Sequence, residues 1–169
     1  MFKMKQLQQS LAGLVLVAAL PLSAMAQGKD PVKVGLVSSK SGVFAQQGEE
    51  VIRGIKFAID EANAKGGVDG RKVEVAEGDD EGTPDAGRRV AEKLARDGNN
   101  LLIGAIPSSI SLAIAQNLDR WDAAYFVVAS KSDKLTGDTC KPRSFRTNHS
   151  DAMDIAMINA WAKNIKGNK

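Results

Sequence analysis

The chain has 169 residues, of which 23 are lysine or arginine and 20 are aspartate or glutamate, giving a formal charge of +3. No block of like charge is longer than three residues and only 5% of the residues are aromatic, so the basic, aromatic-studded surface of a nucleic-acid-binding protein is missing. One cysteine and one histidine are too few for the usual zinc sites, and the length fits one domain with one core.

The first 26 residues have the three parts of a secretory signal peptide. Lys3 and Lys5 give a basic start, residues 11–20 form an apolar run, and the small residues that end at Ala26 supply a cleavage site. The run is shorter than the roughly 20 residues of a membrane-spanning helix. No cysteine follows the site for lipid attachment. We expect cleavage near Ala26 and a mature protein, residues 27–169, in the periplasm.

Hydrophobic patterns alternate between strands and helices along the rest of the chain. Apolar and β-branched runs predict four strands and a further short extended segment, at residues 32–37, 72–76, 101–106, 125–129 and 145–147. Apolar residues at steps of three and four predict four helices, which begin near Gly48, Thr83, Ser108 or Ser109, and Ser150. The clearest start is Thr83 before Pro84, a hydroxyl cap followed by proline at the first helical position.

Each predicted helix carries an apolar stripe that we expect to face a core. The spacing of three and four residues puts the members of a stripe on one side of the helix. In chain order the four stripes are Val51, Ile55, Ala58, Ile59 and Ala62; Ala86, Val90 and Leu94; Ile110, Ile114 and Leu118; and Ile155, Ile158, Ala162 and Ile165.

The order of these elements predicts the fold class. Strands that alternate with helices, two of them apolar on both faces, indicate an α/β fold with a doubly wound parallel sheet and helices on both faces. Ligands of such sheets bind outside the carboxyl ends of the strands. Function should therefore be sought in the loops at residues 38–48, 106–109 and 130–136.

The usual signatures of catalysis and cofactor binding are missing. The loop after the first strand holds only Gly42 and Gly48, too far apart for a dinucleotide phosphate turn, and no phosphate loop ending in Gly-Lys-Ser/Thr occurs. No serine has the glycine-flanked setting of a hydrolase nucleophile. His149 stands alone in a polar segment. The sequence therefore predicts no catalytic residue, no cofactor and no metal site.

Three consecutive carboxylates, Asp79, Asp80 and Glu81, follow the second strand. They could form an acid-base pair or a cation site. They could instead serve the fold, because aspartates placed before Thr83 and Pro84 accept backbone N–H bonds and favour the positive end of the next helix. We favour the structural role.

Uncharged polar groups converge on the predicted strand ends. Hydroxyls, together with the free N–H groups of two helix starts, can bind a carboxylate without a cationic side chain. The alternative is that these serines only cap helices. The residues in question are Ser39, Ser41, Ser108, Ser109 and Ser130.

Several segments occur in a familiar order. They are Asn-Ala-Lys-Gly-Gly at 63–67, DDEGTPDAGRRVAEKL at 79–94, LLIGAIPSSISLAIA at 101–115 and SFRTNHSDA at 144–152. Together they resemble the leucine/isoleucine/valine-binding protein family of type I periplasmic binding proteins, from Val32 to about Trp161. The resemblance implies two α/β lobes joined by crossing strands, with a small molecule trapped between them and delivered to the inner-membrane permease of an ABC importer.

The resemblance also implies which part of such a protein is present. Residues 27–169 would be the amino-terminal lobe, with the second lobe absent, and the last helix resembles the one that precedes the first crossing. Cys140, the only cysteine, is then either a free thiol or the partner of a cysteine in sequence outside this chain.

Carried over residue by residue, the resemblance implies a ligand site. Ser108 would bond the ligand, with Ser109 beside it, and the backbone of Ser130 would meet a ligand carboxylate. Lys131 stands where the family usually has threonine, and Gln47 where an aromatic residue is common. Unless Lys131 points into solvent, it would repel an ammonium and attract a carboxylate, which favours an organic or aromatic acid over a branched-chain amino acid.

Three functions compete at this point. The first is the solute-binding component of an ABC importer for branched-chain amino acids or related amino or organic acids. The second is a ligand-sensing periplasmic subunit of a receptor that uses the same lobe. The third is an enzyme on a Rossmann-like sheet, which lacks its signatures here. We carry the first forward, with a small molecule and a permease as partners and no nucleic acid.

Overall fold

The computed structural model describes residues 29–166, so the predicted signal peptide at residues 1–26 lies outside the described part. The strands are β1 (Val32–Ser38), β2 (Val73–Asp79), β3 (Leu101–Gly104), β4 (Ala124–Val127) and β5 (Ser144–Arg146). The helices are α1 (Ala45–Ala64), α2 (Pro84–Arg96), α3 (Ser108–Ala115), α4 (Leu118–Trp121) and α5 (Asp151–Lys166). Short 3₁₀ turns occur at Gly42–Phe44 and Asp133–Leu135. Within residues 29–166, none of the helices has the length and apolar character needed to cross a bilayer.

The five strands form one parallel sheet in the order β2-β1-β3-β4-β5. This confirms the predicted doubly wound α/β fold, with the short extended segment as its fifth strand. The chain runs outward from β1 to β2 and then crosses back to β3 on the other side of β1, so the direction of winding reverses at β1. Right-handed crossovers then put α1 on one face of the sheet and α2 and α3 on the other.

The main core lies between the sheet and the layer of α2, α3 and α4. Leu102, Tyr125 and Val127 from the strands and Ile110 and Ile114 from α3 are fully buried there. The stripe predicted for α2 lies in the same layer. Burial of one such side chain contributes roughly 1.5–3 kcal/mol. This layer therefore supplies the principal hydrophobic stabilisation of the fold.

The third predicted helix is in fact two helices. α3 ends at Ala115, and α4 begins at Leu118, which is 1% exposed and buried as predicted. Between them, the Asn117 amide donates to the Ala113 carbonyl at 2.9 Å. Asparagine is a weak helix former because its side chain competes for backbone groups in this way, and this is the physical reason for the break.

α1 is less buried than its apolar stripe predicts. It lies against β1 and β2, where Gly48 is buried and Ile55 and Ile59 are half-buried. Ala58 is exposed, so the expectation that it faces the core is wrong. α1 covers β1 and β2 but does not extend over β5, where Phe145 is 48% exposed.

α5 forms where the pattern predicts a helix, but its apolar stripe is not buried. Ile155 and Ile158 are each 59% exposed, Ile165 is 46% exposed, and Trp161 beside them is 65% exposed. The expectation that this stripe faces the core of the described residues is therefore wrong. A helical pattern requires only local sequence, whereas burial requires an apolar surface that residues 29–166 do not place against this helix.

The close approach of α1 to the end of β1 gives a test of the fold. A Cβ added at Gly48 would lie 1.7 Å from the Ser39 carbonyl oxygen, whereas one added at Gly54 on the same helix would meet nothing within 4 Å. We expect Gly48→Ala to lower the free energy of unfolding by about 2 kcal/mol through overpacking. Gly54→Ala, the matched control, should raise it by up to about 1 kcal/mol. Urea denaturation of residues 27–169 measures both, and equal effects would contradict this packing.

Candidate ligand site at the carboxyl edge of the sheet

The carboxyl ends of β1, β3 and β4 bring together the loops in which the sequence placed the candidate site. The Ser132 N–H donates to the Ser108 hydroxyl at 3.2 Å, which joins the start of α3 to the loop after β4. The Ser130 hydroxyl lies 3.1 Å from the Ala105 carbonyl and 3.0 Å from the Ile106 carbonyl. Residues predicted from separate segments therefore meet at one edge.

The start of α3 is shaped by an unusual backbone at the end of β3. Gly104 has φ 128° and Ala105 has φ 51°, a left-handed conformation that is rare for alanine. The Ala105 N–H donates to the Val37 carbonyl at 2.8 Å, so the turn is tied to β1. A strained backbone conformation persists only where the surrounding structure holds it, and such residues cluster at functional sites.

The first turn of α3 carries no side-chain cap. Its N-cap residue is Pro107, which has no capping group, and Ser108 and Ser109 provide the first N–H groups of the helix. Ser108 is half-buried and Ser109 is exposed. The Ser108 oxygen already accepts from Ser132, and within the described residues its own hydrogen has no acceptor. An anion at this point would meet helix N–H groups, a helix dipole and a hydroxyl donor.

Ser130 is 1% exposed, and its hydroxyl belongs to a buried network. Ser111 Oγ lies 2.6 Å from Ser130 Oγ and 2.8 Å from the Tyr125 hydroxyl. That hydroxyl donates to the Gly104 carbonyl at 2.8 Å, and burial raises the pKa of Tyr125. The Ser130 side chain is thus committed to the fold, which leaves its backbone as the part available to a ligand.

Sequence reasoning missed the network beneath the site. Its visible signal is Ser111, a polar residue between the apolar Ile110 and Ile114 on the buried side of α3. A fully buried hydroxyl needs a partner, so a serine in such a stripe indicates a polar group opposite it. Tyr125 on β4 is that group.

Asp79, the last residue of β2, and Asp80, which follows it, have the structural role that we favoured. Asp79 Oδ1 accepts from the N–H groups of Lys40 and Glu81 at 2.8 and 2.9 Å. Asp80 Oδ1 accepts from the Ser39 hydroxyl at 2.5 Å and from the Gly82 N–H at 2.9 Å. These bonds hold the loop after β1 to the loop after β2 and use Ser39, a predicted member of the polar set.

Asp80 nevertheless has one oxygen, Oδ2, that is buried and without a partner in the described residues. Burial raises the pKa of Asp80, against the effect of the Ser39 and Gly82 bonds. Burial also acts to raise the pKa of Asp79, but there the bonds from Glu81, Lys40 and Ser41 together outweigh it and the pKa is lowered. The pKa values of these neighbouring carboxyls therefore shift in opposite directions: burial prevails at Asp80, and hydrogen bonds prevail at Asp79.

Lys131 has a partner that the sequence did not reveal. Its Nζ lies 2.9 Å from Asp154 Oδ2 on α5, and His149 Nε2 lies 3.1 Å from Asp154 Oδ1. The hydrogen bond from Lys131 is the main cause that lowers the pKa of Asp154. The lysine charge is therefore balanced within the chain, which weakens the argument that Lys131 alone would repel an ammonium.

Two further candidates are exposed to solvent. Gln47 is exposed in the first turn of α1, and no hydrogen bond within the described residues joins it to the other candidates. Ser41 is exposed as well. A depression of about 320 Å³ beside Trp121 and one of about 450 Å³ between α1 and β2 are both lined by residues outside the candidate set.

Asp80 provides a test of the bonds that shape this edge. Asp80→Asn keeps one acceptor oxygen for Ser39 and Gly82 and removes the buried charge, so the free energy of unfolding at pH 7 should change by less than about 1 kcal/mol. Asp80→Ala loses both bonds and should lower it by about 2 kcal/mol. Thermal and urea unfolding measure both.

The same pair of proteins gives a pH dependence with a definite sign. A carboxyl whose folded-state pKa lies above its unfolded value binds its proton more readily in the folded state. Relative to Asp80→Asn, the wild type should therefore gain stability as the pH falls through the raised folded-state pKa. If the wild type instead lost stability relative to Asp80→Asn as the pH falls, the charged carboxylate would be the stabilising form.

Comparison with known proteins gives a consistent result. A family model described as "Periplasmic binding protein" matches residues 31–169. The chain is 43% identical over 91 residues to the Leu/Ile/Val-binding protein of Citrobacter freundii, covering 54% of this chain and 24% of that one. It is 32% identical over 143 residues to Leu/Ile/Val-binding protein homolog 8 of Brucella suis biovar 1, covering 85% and 35%. The chain thus spans about a third or less of the length of these relatives.

A solved structure gives the same picture for the fold. The solute binding protein of an ABC transporter from Rhodopseudomonas palustris BisB5, in complex with 3,4-dihydroxy benzoic acid, has a TM-score of 0.65 and 28% sequence identity. The match covers 72% of this chain and 33% of that one.

Proposed function

Because this chain belongs to the periplasmic binding protein family, we propose that it supplies one wall of the ligand site of a solute-binding protein that serves an ABC importer. The proteins it resembles in sequence and fold are solute-binding proteins rather than enzymes. The observation that carries the proposal is the uncapped first turn of α3, with Ser108 between that turn and the loop after β4.

The ligand we propose is a branched-chain amino acid or a related amino or organic acid. Relatives are named for leucine, isoleucine and valine, and a solved relative holds 3,4-dihydroxy benzoic acid. All of these molecules carry a carboxylate. The α3 N–H groups, the Ser108 hydroxyl and the backbone at Ser130 suit a carboxylate, because together they supply donors and a favourable dipole at one point.

We further propose that the remaining part of such a protein closes the site from the opposite side. The match covers only 24% and 35% of these two relatives, and a good small-molecule site buries some 70–90% of its ligand. The carboxyl edge offers one wall, on which Ser109 and Gln47 are exposed. The permease would recognise the closed form of the complete protein.

The binding test compares the wall alone with a completed site. Residues 27–169, and a chimera that adds the second lobe of a related protein, are titrated with leucine, isoleucine, valine, benzoate and 3,4-dihydroxybenzoate by calorimetry at one salt concentration and pH. We expect the chimera to bind at least one of them, and residues 27–169 to bind it about a hundredfold or more weakly, because the contacts of the second wall are lost. Submicromolar binding by residues 27–169 alone would contradict the two-walled site.

Ser108→Ala tests the wall itself. In the chimera it should weaken carboxylate binding about tenfold, the loss expected for a hydrogen bond to a charged group. Thr139→Ala, on an exposed hydroxyl outside the candidate set, is the matched control and should leave binding unchanged. If both changes are neutral, the ligand does not use the start of α3.

The proposed location is the periplasm, reached through cleavage after Ala26. Amino-terminal sequencing of the product from a periplasmic extract should give Gln27 as the first residue. An uncleaved chain in the membrane fraction would contradict both the export route and the cleavage site.

A further inference from the structure

Asp154 joins the candidate ligand site to α5 through a pair of contacts. It is the fourth residue of α5, and its carboxylate lies between Lys131 Nζ at 2.9 Å and His149 Nε2 at 3.1 Å. The exposed fraction of the Asp154 side chain is 25%, against 44% for Lys131 and 51% for His149. The cluster is thus open to a solute that arrives at the carboxyl edge.

The backbone fixes Asp154 in this position. The Asp151 N–H donates to the Lys131 carbonyl at 3.0 Å, and the Ala152 N–H donates to Asp133 Oδ2 at 3.1 Å. Arg146 donates to the Lys131 carbonyl from β5 at 3.2 Å. The loop after β4 and the first turn of α5 therefore form one hydrogen-bonded unit, in which Asp154 and Lys131 face each other.

We propose that Asp154 is a specificity-determining residue that competes with ligand carboxylates for Lys131; this inference rests on the function proposed above. A carboxylate that binds at Lys131 either replaces Asp154 or shares the ammonium with it, and in both cases the negative charge of Asp154 loses part of its compensation and opposes the ligand charge. A zwitterionic amino acid brings a compensating cation in its own ammonium group, whereas a simple monocarboxylate brings none.

The ion pair between Lys131 and Asp154 is weak enough for a ligand carboxylate to compete with it. Ion pairs with this much solvent exposure contribute little, since water and salt screen them and two flexible side chains must be ordered. The competition should reduce carboxylate affinity by roughly fivefold rather than abolish it. Asp154 would therefore create a modest selectivity, in which a monocarboxylate binds less tightly than an amino acid of similar size.

The test uses the full chain, purified after export, and two probes, benzoate and leucine. Amide resonances of Lys131 and Ser132 are followed by NMR during each titration, because this method measures millimolar as well as tighter dissociation constants. The variants are Asp154→Asn, the matched control Asp151→Asn in the same helical turn, Lys131→Gln, and the Lys131→Gln/Asp154→Asn double variant. Unchanged amide spectra elsewhere show that each variant is folded.

The expected result is a selective change. Asp154→Asn should tighten benzoate binding about fivefold and leave leucine binding unchanged or weaker, whereas Asp151→Asn should alter neither. In the Lys131→Gln background, Asp154→Asn should not change benzoate affinity, because the ammonium group for which the two carboxylates compete is gone.

Two other results would overturn the inference, and they are distinguishable. If benzoate or leucine binds but Asp154→Asn acts no differently from Asp151→Asn, the competition is absent while the proposed function stands. If neither probe nor the other acids of the panel binds any variant or the completed chimera, the proposed function fails and this inference fails with it.

Discussion

The close approach of β1 and β3 at their carboxyl ends is the constraint on which the site depends. A Cβ added at Gly104 would lie 2.0 Å from the Val37 carbonyl oxygen, so no side chain fits where the two strands part. The following residue, Ala105, is left-handed and tied to Val37, and this turns the chain into α3. Because the winding reverses at β1, the start of that helix lies at the edge where parallel α/β sheets bind ligands.

Beneath that edge, buried hydroxyls take the place of apolar side chains. Ser111, Tyr125 and Ser130 bond one another and the carbonyl groups at the end of β3. Each of these groups would be costly to bury alone, and together they hold the loop after β4 to the turn after β3. The network therefore fixes the position of Ser130 and of the turn before α3 at this edge of the sheet.

The sequence predicts local features of this protein well and long-range ones less well. Apolar runs give the strands, and Thr83 before Pro84 marks the start of α2, where the Ala86 N–H does bond the threonine hydroxyl at 3.3 Å. The pairing of Lys131 with Asp154 joins residues 23 apart in sequence, and the local pattern around either one carries no sign of it. The exposure of Ile155 on α5 escapes prediction for the same reason, since periodicity specifies a face but not what covers it. The roles of Ser108 and Ser130 toward a ligand were inferred from family resemblance, and they stay predictions.

The all-parallel sheet also determines how quickly such a chain can fold. Strand pairing joins residues that lie far apart in sequence, as the bond between Ser39 and Asp80, 41 residues apart and beside the paired ends of β1 and β2, illustrates. The entropy of closing the intervening loops is lost before strand pairing compensates for it, so sheets of this topology fold slowly. The strand order that builds the carboxyl edge of this sheet would therefore also keep a new chain unfolded for longer, which would favour the export route proposed above.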